Sequence, residues 1–272
     1  MRKLPFAAPL WVALCVGLAA PGLQAQQVET RLNPSEEPVT ASTPSHPADV
    51  VALPTAKELM AQSDEAVGGL AAWSKTTSRK MKGVSQSEDA SVFVAIEILE
   101  KAPNKSLSKV TLPNGLVLRE VCDGRSAWIE NSMGGYQEIT GAMLESRLRQ
   151  AEFQDRARLE KVASAGKITG IEKVGTHTAY VLAFSTDKTK ISKIYVDVDS
   201  KLIVHTEDVI DTPQGPYTVK LDLDDYREVD GLKFPFRIKR SEKGAIVNIR
   251  LTQVIVNPPL DDTLFLKPDF AK

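Results

Sequence analysis

Few residues of this chain have the type and spacing that catalysis or metal binding requires. Its three histidines, His46, His177 and His205, lie far apart along the sequence and suggest no shared metal site. The sequence also lacks a glycine-rich phosphate loop, a nucleophile elbow and a Cys-x-x-Cys-His haem motif. We therefore predict no catalytic residue, no metal, no cofactor and no enzymatic activity.

A group of aspartates and one cysteine are the remaining chemical candidates. Asp222, Asp224 and Asp225 have ligand types that suit calcium, but Asp222 and Asp224 fall on the polar face of an alternating strand, where solvation accounts for them. Cys122 ends a predicted strand beside an Asp-Gly turn and has few basic neighbours. We interpret it as a small buried apolar residue rather than a reactive thiol.

The first 52 residues predict an export signal followed by a tether. Arg2 and Lys3 precede an uncharged apolar run, and Ala25 provides the small residue of a cleavage site, so residues 1–25 resemble a secretory signal peptide. A membrane anchor is the alternative, but prolines and a glycine interrupt the run. Residues 26–52 are rich in Pro, Thr, Ser and Glu and predict a disordered tether. Residues 53–272 then form a single domain.

Charge and cysteine content narrow the function classes further. The chain carries 34 basic and 35 acidic residues, a balance that gives no electrostatic basis for binding nucleic acid. Cys15 falls within the predicted signal peptide, so the exported chain would keep Cys122 alone and form no intramolecular disulfide. Its stability must therefore come from a packed core.

Two amphipathic helices are predicted in the domain. Thr55 and Glu58 have the spacing of a capping box, which predicts a helix over residues 55–67, and a further turn follows near Trp73. The second helix is expected within residues 141–162. The apolar positions that would cover the rest of the domain are Leu59 and Met60 in the first helix and Leu144 and Leu148 in the second.

Most of the remaining domain alternates between apolar and polar residues and predicts about a dozen antiparallel strands in adjacent hairpins. Pro235 lies within one strand pattern and predicts an edge or a bulge there. A twisted sheet of this size tends to curl. Either the resulting barrel closes and side chains fill it, or it stays partly open under the helices. The hairpin turns are predicted at Asn114-Gly115, Asp123-Gly124, Asp230-Gly231 and Lys243-Gly244.

Three short motifs, taken in order, resemble the LolA/LolB-like periplasmic lipoprotein carriers and receptors of Gram-negative bacteria. They are Lys101-Ala102-Pro103-Asn104, then Asp123-Gly124 with Trp128, then Asn257 to Asp262 leading to Phe265 and Pro268. The resemblance extends over residues 53–268. One position departs from it, because Ala102 stands where the carrier of the family has an arginine that bonds to the lid helices.

The resemblance implies a mainly β fold with few helices (α+β), in which a large curled antiparallel sheet forms an incomplete barrel covered by two or three helices. It also implies a monomeric periplasmic protein that shelters the acyl chains of lipoproteins or other hydrophobic ligands. The alternative is an envelope-stress sensor of the same fold that binds an inner- or outer-membrane protein. Leu59, Met60, Leu144 and Leu148 would form the lid. The expected cavity residues are Val94, Ile96, Ile98, Leu116, Leu118, Trp128, Leu182, Phe184, Val196, Leu221, Phe234 and Phe236.

Overall fold

The computed structural model describes residues 53–89, 92–153, 164–187, 190–212 and 215–267. The predicted signal peptide and tether, with His46, lie outside these ranges, as does Pro268. Within them the chain is mainly β, with thirteen strands in one antiparallel sheet and a few short helices. The predicted fold class, a large antiparallel sheet that remains an incomplete barrel, is confirmed.

The helices are α1 (Ala56–Ala66), α2 (Gly69–Trp73) and α3 (Gly141–Gln150), and a 3-10 turn occupies Asp262–Phe265. The strands of the first half are β1 (Ser78–Ser87), β2 (Val94–Lys101), β3 (Lys105–Thr111), β4 (Val117–Cys122), β5 (Ala127–Asn131) and β6 (Tyr136–Ile139). Those of the second half are β7 (Lys167–Val174), β8 (His177–Asp187), β9 (Lys190–Asp197), β10 (Ile203–Thr212), β11 (Gly215–Val229), β12 (Leu232–Glu242) and β13 (Ala245–Val256).

Two meanders meet at the centre of the sheet. The strand order is β6-β5-β4-β3-β2-β1-β13-β12-β11-β10-β9-β8-β7, so every pair except β1 with β13 joins strands that follow each other along the chain. The edge strands β6 and β7 belong to different meanders and are not paired with each other. The sheet is therefore not closed. Of the two architectures that the strand count allowed, the structure has the partly open barrel.

Both helices begin where the sequence predicts, and the second ends earlier than predicted. The Thr55 hydroxyl accepts a hydrogen bond from the Glu58 backbone N–H at 3.2 Å, and the Glu58 carboxylate accepts one from the Thr55 N–H at 2.8 Å, which confirms the capping box. The second helix begins as predicted but ends at Gln150, and the part of the prediction over residues 154–162 lies outside the described ranges.

Two strands, β3 and β7, have no counterpart among the segments in which the sequence indicates a strand, and β5 is indicated only by the predicted turn at Asp123-Gly124 before it. The apolar residues of β3, Leu107 and Val110, are three positions apart and so face opposite sides of the sheet. Strand β7 is an edge strand with mostly exposed side chains. Neither segment has the one-sided apolar alternation by which a strand is recognised.

Pro235 sits where β12 separates from β13. The two strands pair from Glu242 with Ala245 as far as Arg237 with Arg250, and the preceding part of β12 pairs with β11 alone among the described residues. There the backbone N–H of Lys233 donates to the Val67 carbonyl at 3.0 Å, so the end of α1 takes the place of a strand partner. The predicted edge position of Pro235 is confirmed.

Gly83 lies at an irregularity in the β1–β13 pairing, where the register shifts between Lys82 and Gly83. A Cβ atom at Gly83 would stand 2.3 Å from the Arg250 carbonyl oxygen, a backbone atom that cannot move without disturbing the pairing of the two strands. The close approach of the two central strands therefore requires glycine at this position.

We predict that Gly83→Ala lowers the free energy of unfolding by about 1–3 kcal/mol, the usual cost of forcing extra volume into a packed site. Gly170→Ala in β7 is the matched control, since a Cβ there meets nothing within 4 Å, and its effect should stay within about 0.5 kcal/mol. Urea unfolding of both variants tests this, and equal losses would contradict it.

Candidate functional site

The candidate site is the face of the sheet on which the three helices pack, called here the inner face. Because side chains of directly paired residues point to the same side of a sheet, the strand register assigns each residue to the inner or the outer face. Ile96, Val110 and Leu118 are paired in succession across β2, β3 and β4 and share the inner face.

Helix α1 covers the inner face of β8 and β9. Leu59 and Met60 are buried in a cluster with Leu182, Phe184 and Val196, and Leu59 has no exposed surface. The predicted lid positions of the first helix therefore lie against the predicted cavity positions of the second meander.

Helix α2 covers the centre of the sheet through one aromatic side chain. Trp73 meets Phe234 of β12 edge to face, with ring centres 5.3 Å apart. Its indole N–H donates to the Val67 carbonyl at 3.2 Å, which fixes the ring between α1 and the sheet. Ile96, Ile98 and the inner residues of β11, β12 and β13 belong to the same buried cluster.

Helix α3 covers the other end of the sheet. Leu144 and Leu148 are half-buried and pack with Ala127 and Ile139 of β5 and β6. Cys122 belongs to the same cluster, and burial raises the pKa of its thiol, so its prediction as a small buried residue is confirmed. The second pair of predicted lid residues thus also lies on the inner face.

One predicted cavity residue, Trp128, lies on the wrong face for its predicted role. Neighbouring residues of β5 alternate, so Ala127 and Ile129 face α3 whereas Trp128 points outward and packs beneath Phe265. Leu116 precedes β4 and is half-buried in the hairpin turn. The predicted residues that the register and packing place on the inner face are Val94, Ile96, Ile98, Leu118, Leu182, Phe184, Val196, Leu221, Phe234 and Phe236.

The outer face of the first meander is covered by the C-terminal segment. Phe265 is buried against Trp128, and the ammonium group of Lys101 donates to the Leu260 carbonyl at 2.6 Å. The Asn257 side-chain oxygen accepts from the Thr77 backbone N–H at 2.7 Å. The motifs that carried the family resemblance therefore meet at one junction.

The inner face also holds a buried cation that sequence reasoning missed. Arg79 of β1 forms an ion pair with Glu100 of β2 at 2.7 Å, and both side chains are about nine-tenths buried. The guanidinium carbon lies 5.5 Å from the ring centre of Trp73 and 4.6 Å from that of Phe153. Arg79 thus contacts α2 and the segment that follows α3. The sequence signal for an inward-facing Arg79 was its position two residues before Met81, on the same face of the alternating strand β1.

A second, largely buried ion pair joins α3 to β4, with Arg147 Nε 2.6 Å from Glu120 Oε1. Burial raises the pKa of the Glu120 carboxyl above its ordinary value, although Arg147 opposes the shift. Arg147 also lowers the pKa of Tyr217, which burial and the Glu242 carboxylate raise overall. The ion pair thus joins helix α3 to the inner face of the first meander.

His177, His205 and the aspartates considered from sequence form separate pairs with different partners. His177 bonds to Asp197 at 3.1 Å and His205 to Asp222 at 2.6 Å. Asp224 pairs with Arg237 and Asp225 with Arg227. Across the described ranges, no three His, Cys, Asp or Glu side chains come close enough to hold a metal ion together.

No family model matches this sequence, and no curated protein does. Solved structures do match. A LolA superfamily protein from Nitrosomonas europaea is 15% identical, with a TM-score of 0.50 over 79% of this chain and 99% of the other. An outer membrane lipoprotein-sorting protein domain from Vibrio parahaemolyticus is 12% identical, with a TM-score of 0.50 over 77% and 95%.

This chain has a LolA-like fold. A DUF1329 family protein from Desulfovibrio piger shares it, at 11% identity and a TM-score of 0.52 over 78% of this chain and 95% of the other. Identities this low establish the fold alone. Among the described residues, no helix of this LolA-like chain has the length and apolar character that crossing a membrane requires.

In this LolA-like chain the arginine that contacts the helical cover comes from β1 rather than from the Lys101-Ala102-Pro103 segment. Arg79 pairs with Glu100, which lies two residues before Ala102 on the same face of the sheet. The backbone N–H of Phe153 donates to the Pro103 carbonyl at 2.9 Å, which holds the Phe153 ring near Arg79. The segment after α3 is thus attached to the sheet at the Ala102-Pro103 turn.

We predict that Glu100→Leu lowers the free energy of unfolding by about 3–5 kcal/mol, because it leaves the buried Arg79 guanidinium unpaired. The double variant Arg79→Met/Glu100→Leu should lose clearly less. Asp224→Asn breaks the exposed pair with Arg237 and should cost at most about 1 kcal/mol. Urea unfolding of all three variants measures the losses, and a double variant as unstable as Glu100→Leu would contradict the ion-pair explanation.

We predict a characteristic pH dependence for Glu120→Gln. Because the folded-state pKa of Glu120 is raised, the ionised carboxylate lowers stability as the pH rises from the ordinary carboxyl range through the raised pKa. The substitution removes this titration. The free energy of unfolding of the variant, relative to that of the unmodified protein, should therefore increase between about pH 4 and about pH 7. Urea unfolding at both pH values tests this, and a decrease would contradict it.

Proposed function

We propose that this protein is a periplasmic carrier or binding protein for acyl chains of lipoproteins or other hydrophobic ligands, which it shelters on the inner face of its incomplete barrel. The observation that carries the proposal is the nature of the cover. Three short helices, rather than a second sheet, lie on a broad apolar face, and they meet it in separate sectors.

The sector between these covers supports binding. Strands β2 and β3 lie between β1 and β4 in the sheet. Arg79 of β1 contacts Trp73 of α2, and α3 packs on β4. The inner residues Val94, Val110 and Leu118 keep partial exposure there. Apolar surface that the protein itself leaves half-covered is available to an apolar ligand.

Acyl chains suit such a surface because their binding needs no specific polar contact. Each methylene removed from water contributes about 0.8 kcal/mol, so half of a long chain stabilises a complex by several kcal/mol. Helix α3 is joined to the sheet by the Arg147–Glu120 ion pair, and α2 by the contacts of Trp73 with Arg79 and Phe234, and none of these side-chain contacts is part of the strand ladder. The proposal is therefore of binding rather than catalysis.

Two further observations support the cellular setting. The N-terminal residues have the pattern of a cleaved export signal. Two proteins of similar structure are described as a LolA superfamily protein and as an outer membrane lipoprotein-sorting domain. We infer a location in the periplasm of a Gram-negative bacterium.

Mass spectrometry of lipids extracted from the protein purified out of the periplasm tests the proposal. We expect co-purifying acyl lipids, and a fluorescent hydrophobic probe that brightens on binding to the delipidated protein. Absence of both signals would overturn the carrier proposal. A membrane protein recovered without any acyl lipid would favour the sensor alternative instead.

Adjacent residues of β4 provide a matched pair of variants. Leu118 faces inward and Val117 outward, and both are half-buried. We predict that Leu118→Gln weakens probe binding roughly tenfold, because it places a polar group where about 1.5–3 kcal/mol of apolar burial is available. Val117→Gln should leave the dissociation constant nearly unchanged. Equal effects in fluorescence titrations would contradict an inner-face site.

A further inference from the structure

The inner face of β2, β3 and β4 changes from polar to apolar along the strands. The gradient begins at the end where the Ala102-Pro103 turn joins β2 to β3, and it ends toward the start of β2. The paired rows across the three strands are Glu100, Ser106 and Cys122, then Ile98, Ser108 and Glu120, then Ile96, Val110 and Leu118. A surface of this kind matches a molecule with one polar end and one apolar end.

Ser108 marks the boundary between the two halves. Ser108 is 5% exposed, and its hydroxyl has no hydrogen-bond partner among the residues that the structure describes. Leaving a buried hydroxyl unpaired is costly, so native proteins almost always satisfy it with a protein group, a water molecule or a ligand. The hydroxyl lies on the inner face beside Glu120, which Arg147 of α3 contacts.

Charge restricts the kind of polar end that fits. The two arginines that the strand register and the ion pairs place on or against this face of the first meander are already neutralised, Arg79 by Glu100 and Arg147 by Glu120. An anionic group placed beside them would face two carboxylates and no unpaired cation, and an added cation would meet two paired arginines. Burying an uncompensated charge is far more costly than burying a neutral polar group.

The apolar half continues to the surface. Val94 begins β2 on the inner face, and Phe93 directly before it is 55% exposed. Val110 and Leu118 remain half-buried beside it. An acyl chain that starts near Ser108 can therefore run along these residues toward the end of the sheet where β2 begins.

We propose that the inner face of β2, β3 and β4 binds acyl compounds with an uncharged polar group, such as an ester or amide, in preference to free fatty acids. Ser108 bonds to the ester or amide, and Val110, Leu118 and Val94 hold the chain. The inference rests on the proposed binding function and specifies the ligand class for that same site.

The test is displacement of a fluorescent hydrophobic probe from the delipidated protein at about pH 8, where a free fatty acid is ionised. The competitors are monolauroylglycerol and laurate, which carry the same chain. We expect monolauroylglycerol to act at a concentration roughly tenfold lower. Ser108→Ala should weaken displacement by monolauroylglycerol roughly fivefold and leave the probe and laurate unaffected.

Thr206→Val is the matched control. The Thr206 hydroxyl is also buried without a partner among the described residues, but it pairs between Leu221 and Ile194, which are themselves buried. This variant should keep the full preference for monolauroylglycerol. Laurate acting as well as monolauroylglycerol, or a Ser108→Ala effect no larger than that of Thr206→Val, would overturn the inference while the binding function stands. Failure of both competitors would overturn the binding function itself.

Discussion

The pairing of β1 with β13 is the contact on which the rest of the structure depends. It joins two meanders that are otherwise built from sequence-adjacent hairpins, and it does so between residues about 170 positions apart, as where Thr252 bonds to the Lys82 carbonyl. Such long-range pairing is entropically costly and forms only when both strands offer a matching apolar face. Met81, Ile249 and Leu251 supply that face.

The positions of the helices depend on this pairing of β1 with β13. Chain connectivity places α1 and α2 directly before β1, and the Val67 carbonyl accepts a hydrogen bond from the Lys233 N–H where β12 has separated from β13. Helix α3 leaves the edge strand β6 and returns over the first meander to Pro103. Arg79 stands where the two covers approach each other and contacts both.

The inner face combines broad apolar clusters with two ion pairs that are largely removed from water, and the two kinds of contact stabilise the fold differently. The broad clusters supply stability that depends little on geometry, whereas Arg79–Glu100 and Glu120–Arg147 are stable only in one arrangement, since a separated partner would remain charged in a poorly solvated place. The Arg147–Glu120 pair therefore specifies where α3 sits, and Arg79, held by Glu100, specifies where Trp73 and Phe153 meet the sheet. Within the described residues, the Ser108 hydroxyl is one of the buried polar atoms of this arrangement that lack a hydrogen-bond partner, together with Arg79 Nε and Arg147 Nε.

Local pattern alone determined much of this protein. Capping at Thr55, the tight turns at Asn114-Gly115 and Asp230-Gly231, and one-sided alternation predicted the helix starts and most strands, because each depends on residues within a few positions. These signals also placed ten of the twelve expected cavity residues on the helix-covered face.

Tertiary structure alone decided the remainder. Trp128 points outward because the C-terminal segment offers Phe265 and its neighbours as cover on that side, a contact between segments far apart in sequence. Strands β3 and β7 exist because neighbouring strands satisfy their backbones, not because of their own alternation. Whether the barrel closes depends on the edges β6 and β7, and whether Arg79 is paired depends on its register with Glu100. Each of these features depends on which distant segments meet, and a local sequence pattern does not specify which segments those are.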